Sequence, residues 1–253
     1  MLTTTEIEEY HSRGFVTPDF KLPDEVVTKI RQRHDLLLQN HPEFNNYCST
    51  LLAYDTDFLS VAKDPEILAM VRQLLGDDFA LWNSSFFAKP ANGGHATPWH
   101  QDGEYWPIEP LATCTVWIAV DPSTVENGCL NVIPGSHKEQ RLKRHKQNSS
   151  KALTLSLEIE ADEYEADSAV PIELEAGQIS LHDVYLVHGS EANNSKHSRR
   201  GMTLRFMPTT SVFNREKASR MASQFKMDDH AERTLYLMSG VDKSGKNDFA
   251  VRR

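Results

Sequence analysis

The sequence predicts a mainly β protein with helices packed around it, and three observations carry that prediction. Apolar residues recur at helical spacing up to about residue 78. Beyond that point they fall into short runs separated by Pro, Gly and Asn turns. Helices followed by a succession of strands bury their apolar faces as a sandwich or barrel flanked by helices. No internal repeat, low-complexity tract or Gly/Ser linker interrupts the chain, so its 253 residues are expected to form one domain. Its parts are a helical third over about 1–78, a β core over about 79–210 and a helical, polar tail.

The helical third divides at its punctuation. Thr3-x-x-Glu6 and Thr5-x-x-Glu8 are alternative capping boxes for a short helix that Gly14 ends. Pro23 opens a second helix reaching about residue 39, with Val26, Val27, Ile30 and Leu36 to Leu38 as its apolar face. A third is expected over 64–75, with Pro65 in its first turn and Gly76 as its stop. Strands are expected over 80–89, 113–120, 129–133, 179–181 and 202–207. Between 138 and 170 a basic stretch (Lys138, Arg141, Lys143, Arg144, Lys146) precedes an acidic run over 158–167. It reads either as a solvated loop between strands or as a lid over a substrate.

Bulk properties narrow the partners. A formal charge of −9 argues against broad nucleic-acid binding and does not favour anionic membranes. The first residues show neither a cationic stretch nor an apolar core, so no signal peptide is expected. No apolar run approaches the ~20 residues a membrane crossing needs. Cys48, Cys114 and Cys129 have neither pairing nor zinc spacing, which suits small buried side chains in a reducing cytoplasm. A cytoplasmic protein acting on a small molecule, as monomer or homodimer, is the expectation.

The chemistry gathers in Trp99-His100-Gln101-Asp102 and, far downstream, Val187-His188-Gly189-Ser190. A His-x-Asp pair on an extended strand places both side chains on one face. A histidine from a distant strand completes two imidazoles and a carboxylate, a ligand set that leaves positions open and points to oxygen-activating Fe(II). The pair alone is weak evidence in a chain with 11 histidines. Eleven positions after His188 stands Arg199 (199 − 188), next to Arg200. A guanidinium is well suited to hold the far carboxylate of a keto acid. Between the two halves lies Asn127-Gly-Cys-Leu-Asn-Val-Ile-Pro-Gly-Ser-His137, a turn, an apolar strand and a second turn.

With "HQD", "NGCLNVIPGSHK", "AGQISLHDVYLVHGS" and the following "RRG", the chain resembles the phytanoyl-CoA dioxygenase family of Fe(II)/2-oxoglutarate oxygenases from about residue 86 to 208. The resemblance implies a double-stranded β-helix, a jelly-roll relative with the metal in its mouth. It also implies Fe(II) on His100, Asp102 and His188, with 2-oxoglutarate and O2 as co-substrates. The expected outcome is hydroxylation of a small polar metabolite, with release of succinate and CO2. Asp102 matters because related halogenases lack that carboxylate. Family spacing selects Arg199 over Arg200 as the keto-acid anchor, and His188 over His182 as the ligand, with His182 packing close by.

Ser190 is a candidate for the keto acid's far carboxylate, or a hydroxyl packed in a strand. Trp117 and Ser85 are candidates for the same pocket, with plain core as the alternative. Arg205 reads as a structural ion-pair partner, and His95, His137 and His197 as surface or loop histidines. Lys89, Gln101, Glu104, Tyr105, Trp106 and Asn131 are the substrate candidates. Glu104, beside Tyr105 and Trp106, favours a compact substrate bearing an amine over a long acyl-CoA. The same ligands also serve desaturation, cyclisation or demethylation. Two other classes are open: a zinc hydrolase with a bound water, and a non-catalytic cupin-like binding protein.

Overall fold

The computed structural model describes residues 1–225 and 229–252. Helix α1 (Thr4–Arg13) opens on the Thr3/Glu6 capping box, with both reciprocal bonds made, and ends at Gly14, whose φ of 86° suits glycine. Helix α2 is Asp24–Asn40 and α3 is Pro65–Leu75, where the Asp64 carboxylate accepts from Glu66 and Ile67 amides. A further helix of more than two turns, α4, spans Arg215–Phe225. One residue on the predicted α2 face departs from it: Leu36 is 48% exposed, because Val27, Ile30, His34 and Leu37 form the inward stripe.

Eight strands build the core: β1 (Phe79–Lys89), β2 (Thr97–His100), β3 (Cys114–Ala119), β4 (Leu130–Val132), β5 (Val170–Ile172), β6 (Ile179–Asp183), β7 (His188–Ser190) and β8 (Arg199–Pro208). The larger sheet runs β6-β3-β8-β1 and the smaller β5-β4-β7-β2, all antiparallel. Phe15–Val16 extends the first beside β6, while Tyr47–Cys48 and Tyr236–Ser239 both pair with β1. Successive strands pass between the two sheets, with β4 and β5 together in the smaller. This is the double-stranded β-helix that the resemblance implied. The tail therefore adds a strand to the core as well as a helix. Strand β5 escaped the sequence reading because it is three residues long and centred on Pro171, which an edge strand tolerates.

Side-chain alternation along β8 separates structure from chemistry. Met202, Leu204 and Phe206 face outward and join Phe86, Val116 and Ile118 in a cluster with Val27, Ile30, Ile67 and Met70 of the helices. Arg199, Thr203 and Arg205 face the opposite way, into the barrel. Because helices cover one face and the cavity walls the other, all six residues of β3 are buried. The cysteines are buried and form no disulfide among the described residues, as expected of small core side chains.

His34 makes a testable contribution to stability. It is buried against Phe86 at 4.2 Å between ring centroids, and neither ring nitrogen has a hydrogen-bond partner. Burial, with the Arg200 charge, pushes its pKa from 6.5 down to about 4. The folded pKa is depressed, so the stability is present above the unfolded value and is lost as pH falls from 6.5 towards 4. The loss is on the order of 3 kcal/mol. His34→Leu should remove that slope in urea melts at pH 7 and pH 4.5; an unchanged slope would contradict the account.

The 138–170 segment is neither a bare loop nor purely solvated. It forms a hairpin, His145–Gln147 against Leu157–Ile159, and its two charge runs pair with each other. Arg144 meets Glu160, Asp162 and Glu163 at 3.0, 2.6 and 2.5 Å, and Lys146 meets Glu158 at 3.1 Å.

Candidate metal centre and substrate cavity

Strand register assembles the candidate ligands. β7 pairs with β2 so that His188 stands directly opposite His100. Gly189 permits this close approach: a Cβ there would lie 3.1 Å from the Thr97 carbonyl oxygen. Asp102 follows β2 in a short 3-10 turn, Asp102–Tyr105. One ligand atom from each of His100, Asp102 and His188 lies within 4.8 Å of the others, and all three residues are buried. His100 Nδ1 lies 2.8 Å from the Pro98 carbonyl oxygen, and His188 Nδ1 2.9 Å from that of Leu186. Each Nδ1–H is thereby committed to the backbone, which leaves Nε2 as a lone pair for the cavity. The two Nε2 atoms stand 3.7 and 4.0 Å from Asp102 Oδ1, too far for hydrogen bonds and suited to a shared ion.

Electrostatics keep Asp102 and His188 in their ligand forms. Burial alone would raise the Asp102 carboxyl, but the Arg205 guanidinium and the surrounding imidazoles outweigh it and hold it well below the usual range. Burial and the neighbouring His100 ring push His188 well down, so it is neutral. Thr115 Oγ1 donates to Asp102 Oδ2 at 3.3 Å, and His182 Nε2 stands 3.4 Å from the same oxygen. His182 lies beside the centre, outside the three-residue cluster.

The cavity holding these residues is also lined by Phe87, Trp117, Ser190, Arg199 and Arg205. Arg199 is buried without a carboxylate partner among the described residues; Nη1 donates to the Phe87 carbonyl at 3.2 Å and Nε has no partner. Burial lowers its pKa to about 10, so it stays charged at neutral pH. Its guanidinium lies 5.4 Å from the Trp117 ring centroid. Trp117 fits because Gly201 crosses beneath it: a Cβ there would meet Trp117 Cζ2 at 2.2 Å. Arg200 faces outward and binds Asp121 at 2.7 Å and Asp35 at 3.0 Å. The orphaned, buried Arg199 cation and the donor set both fit a metal with an anionic keto acid.

A second cavity of about 240 Å³ adjoins the first, with Phe87, Asp102 and Arg205 in both walls. Tyr105 and Trp106 line it as the sequence suggested, together with Tyr47, Trp82, Arg233 and Thr154, Leu155 and Ser156 of the 138–170 segment. Several candidates take other places. Gln101 is fully buried and clips that segment in position, with bonds to the Arg141 and Tyr185 carbonyls and the Lys143 amide. Glu104 lines neither cavity; its carboxylate is 3.8 Å from His145 Nδ1, and burial raises its pKa. The amine-binding role expected of it loses its geometric basis.

Lys89 is buried away from both cavities with Nζ on the His95 carbonyl, and Asn131 Nδ2 turns back to the Cys129 carbonyl. Ser85 supports the wall, bonded to Thr203 at 2.7 Å and to Arg205 Nη1 at 2.6 Å. His137 is buried under Gly14 and bonded to the His11 carbonyl, because α1 packs over that turn; His197 is exposed.

Arg205, Trp82 and Arg233 were missed as cavity residues. Arg205 shares its β8 face with Arg199, a parity that the sequence does show. Trp82 sits in a register break, between Asn83 opposite Arg205 and Leu81 opposite Phe206. Arg233 arrives from a loop after α4, which no local pattern signals.

A family model described as phytanoyl-CoA dioxygenase (PhyH) matches residues 10–201. Phytanoyl-CoA dioxygenase domain-containing protein 1 of Mus musculus is 31% identical over 181 residues, covering 70% of this chain and 61% of that protein. A Dictyostelium discoideum homolog of it is 38% identical over 110 residues, 43% of this chain and 39% of that protein. The chain thus matches less than two thirds of the length of these curated relatives. Among solved structures, the non-heme monooxygenase ThoJ in its apo form superposes with a TM-score of 0.75 at 22% identity, covering 98% of this chain and 87% of that one. The 2-oxoglutarate complex of EvdO2 from Micromonospora carbonacea var. aurantiaca gives 0.68 at 24% identity, covering 82% and 91%. These likenesses show the shared fold. Among the described residues no helix is long and apolar enough to cross a membrane.

Proposed function

This chain belongs to the phytanoyl-CoA dioxygenase family, and from that premise we propose that it is an Fe(II)- and 2-oxoglutarate-dependent oxygenase that hydroxylates a small molecule at an unactivated carbon. The observation that carries the reading is the meeting of the His100, Asp102 and His188 ligand atoms with the unpaired Arg199 cation in one cavity. Bound Fe(II), with 2-oxoglutarate and O2, supplies oxidation of a C–H bond while the keto acid is converted to succinate and CO2.

The protein's own residues do the rest. His100 and His188 present Nε2 because their Nδ1–H groups are held by backbone carbonyls. Arg199 holds the keto acid's far carboxylate, with Ser190 in the same wall. Trp117, Phe87 and Leu130 exclude water around it. The reading takes 1–253 as one oxygenase domain, since α1 to α3 and the larger sheet share a single apolar cluster. A hydrolase would gain nothing from a buried Arg199 without a partner, and a simple binding protein gains nothing from committed imidazole tautomers.

The test is succinate release in the presence of Fe(II), 2-oxoglutarate and air across a panel of metabolites, against a blank without metabolite. Slow Fe(II)-dependent release in the blank, stimulated by at least one metabolite, is expected. Keto-acid consumption that ignores the metal, or none at all, would contradict the proposal.

A further inference from the structure

Resting on that oxygenase reading, we propose that the substrate carries an oxyanion, a carboxylate or a phosphonate-type group, which Arg233 and Arg205 hold in the aromatic cavity beside the metal centre. Both arginines line that cavity, and the single carboxylate in its described wall is Asp102. Arg233 has no ion pair among the described residues. Its Nε and Nη1 make long bonds, both 3.3 Å, to the His230 and Trp82 carbonyls, and Nη2 has no partner. Among the described residues Arg205 Nε is also without a partner, and the carboxylate oxygen paired with its guanidinium, Asp102 Oδ1 at 4.0 Å, belongs to a candidate metal ligand. Trp82 Nε1, in the same wall, is a third donor without an acceptor among the described residues.

Donors in excess of acceptors call for an acceptor-rich ligand. Two neighbouring cations also repel each other, and burial together with the Arg205 charge pushes Arg233 down to about 9. An oxyanion between them relieves both costs, and a guanidinium pairs with carboxylate or phosphonate through two parallel bonds. One side of the cavity is aromatic, with Trp82 and Trp106 packed edge-to-face at 4.9 Å and Phe87 and Tyr105 beside them, while Ser49, Asn83, Thr154, Ser156 and His230 add polar groups. The body that carries the oxyanion packs against that aromatic side. Arg205 and Asp102 border both cavities, so an oxyanion anchored here delivers the attached carbon to the metal ligands. Arg233 does not line the cavity of Arg199, so the keto acid and the substrate anion use separate guanidinium anchors.

Calorimetric titration of the anaerobic, Fe(II)-loaded protein with phenylacetate, phenylphosphonate, phenylacetamide and phenethylamine tests the proposal. The two anions should bind, with the amide and amine weaker by at least about tenfold. The order of the two anions identifies the preferred group. Arg233→Met should bring the anions down to the amide's level, and Arg233→Lys should recover part of the loss, with melting curves run on both variants. Equal binding of all four probes, tighter binding of the amine, or anion binding indifferent to Arg233 would overturn it. So would displacement of the anions by saturating 2-oxoglutarate in the wild-type protein, which would place them at Arg199. Should 2-oxoglutarate itself fail to bind while the anions bind through Arg233, the oxygenase reading falls and the anion site stands.

Discussion

Asp102→Ala is expected to lower Fe(II)-dependent succinate formation by at least about a hundredfold, the upper range for losing even a supporting group around a metal. The substitution removes the one carboxylate oxygen that faces both Nε2 atoms. It also leaves Arg205 without the carboxylate 4.0 Å away. Breaking one side of a buried pair costs about 3–5 kcal/mol, so a thermal melt must accompany the assay. Asp102→Asn keeps the shape of the side chain and an oxygen for the Thr115 bond, and it separates lost chemistry from lost fold. A folded Asp102→Asn protein with wild-type Fe(II)-dependent turnover would remove Asp102 from the metal centre.

Arg199→Ala is expected to raise the 2-oxoglutarate requirement by roughly ten- to a hundredfold, the value of a charge-assisted bond of about 1.5–3 kcal/mol. The neighbouring Arg200→Ala should leave that requirement alone and lower the melting temperature, because Arg200 ties Asp121 and Asp35 together on the outer face. Measuring KM for the keto acid in both variants decides between them. A rise with Arg200→Ala alone would put the anchor one residue along the strand.

Local features were legible in the sequence because local chemistry causes them. Thr3 and Glu6 cap α1, Pro65 and Gly76 bound α3, and the His-x-Asp spacing brings two candidate ligands together. The core strands were found with their ends misplaced: β8 begins at Arg199 rather than 202, because cross-strand pairing with Lys89 continues past the apolar residues. What depends on distant packing was not legible. Glu104 follows Asp102 closely, yet the 3-10 turn at Asp102–Tyr105 carries it to His145 and away from the cavities. Gln101 stands between two ligand positions, but alternation points it at the 138–170 segment instead of the metal. Arg233 reaches the second cavity from a loop and Trp82 through a register break, and no sequence period announces either.

The most direct measurement is an anaerobic titration of wild-type protein with 2-oxoglutarate, with and without Fe(II). The account predicts stoichiometric binding when Fe(II) is present and at least about tenfold weaker binding when it is absent, since the metal and Arg199 grip opposite ends of the keto acid. Equal affinity in both conditions, or no binding in either, would contradict it.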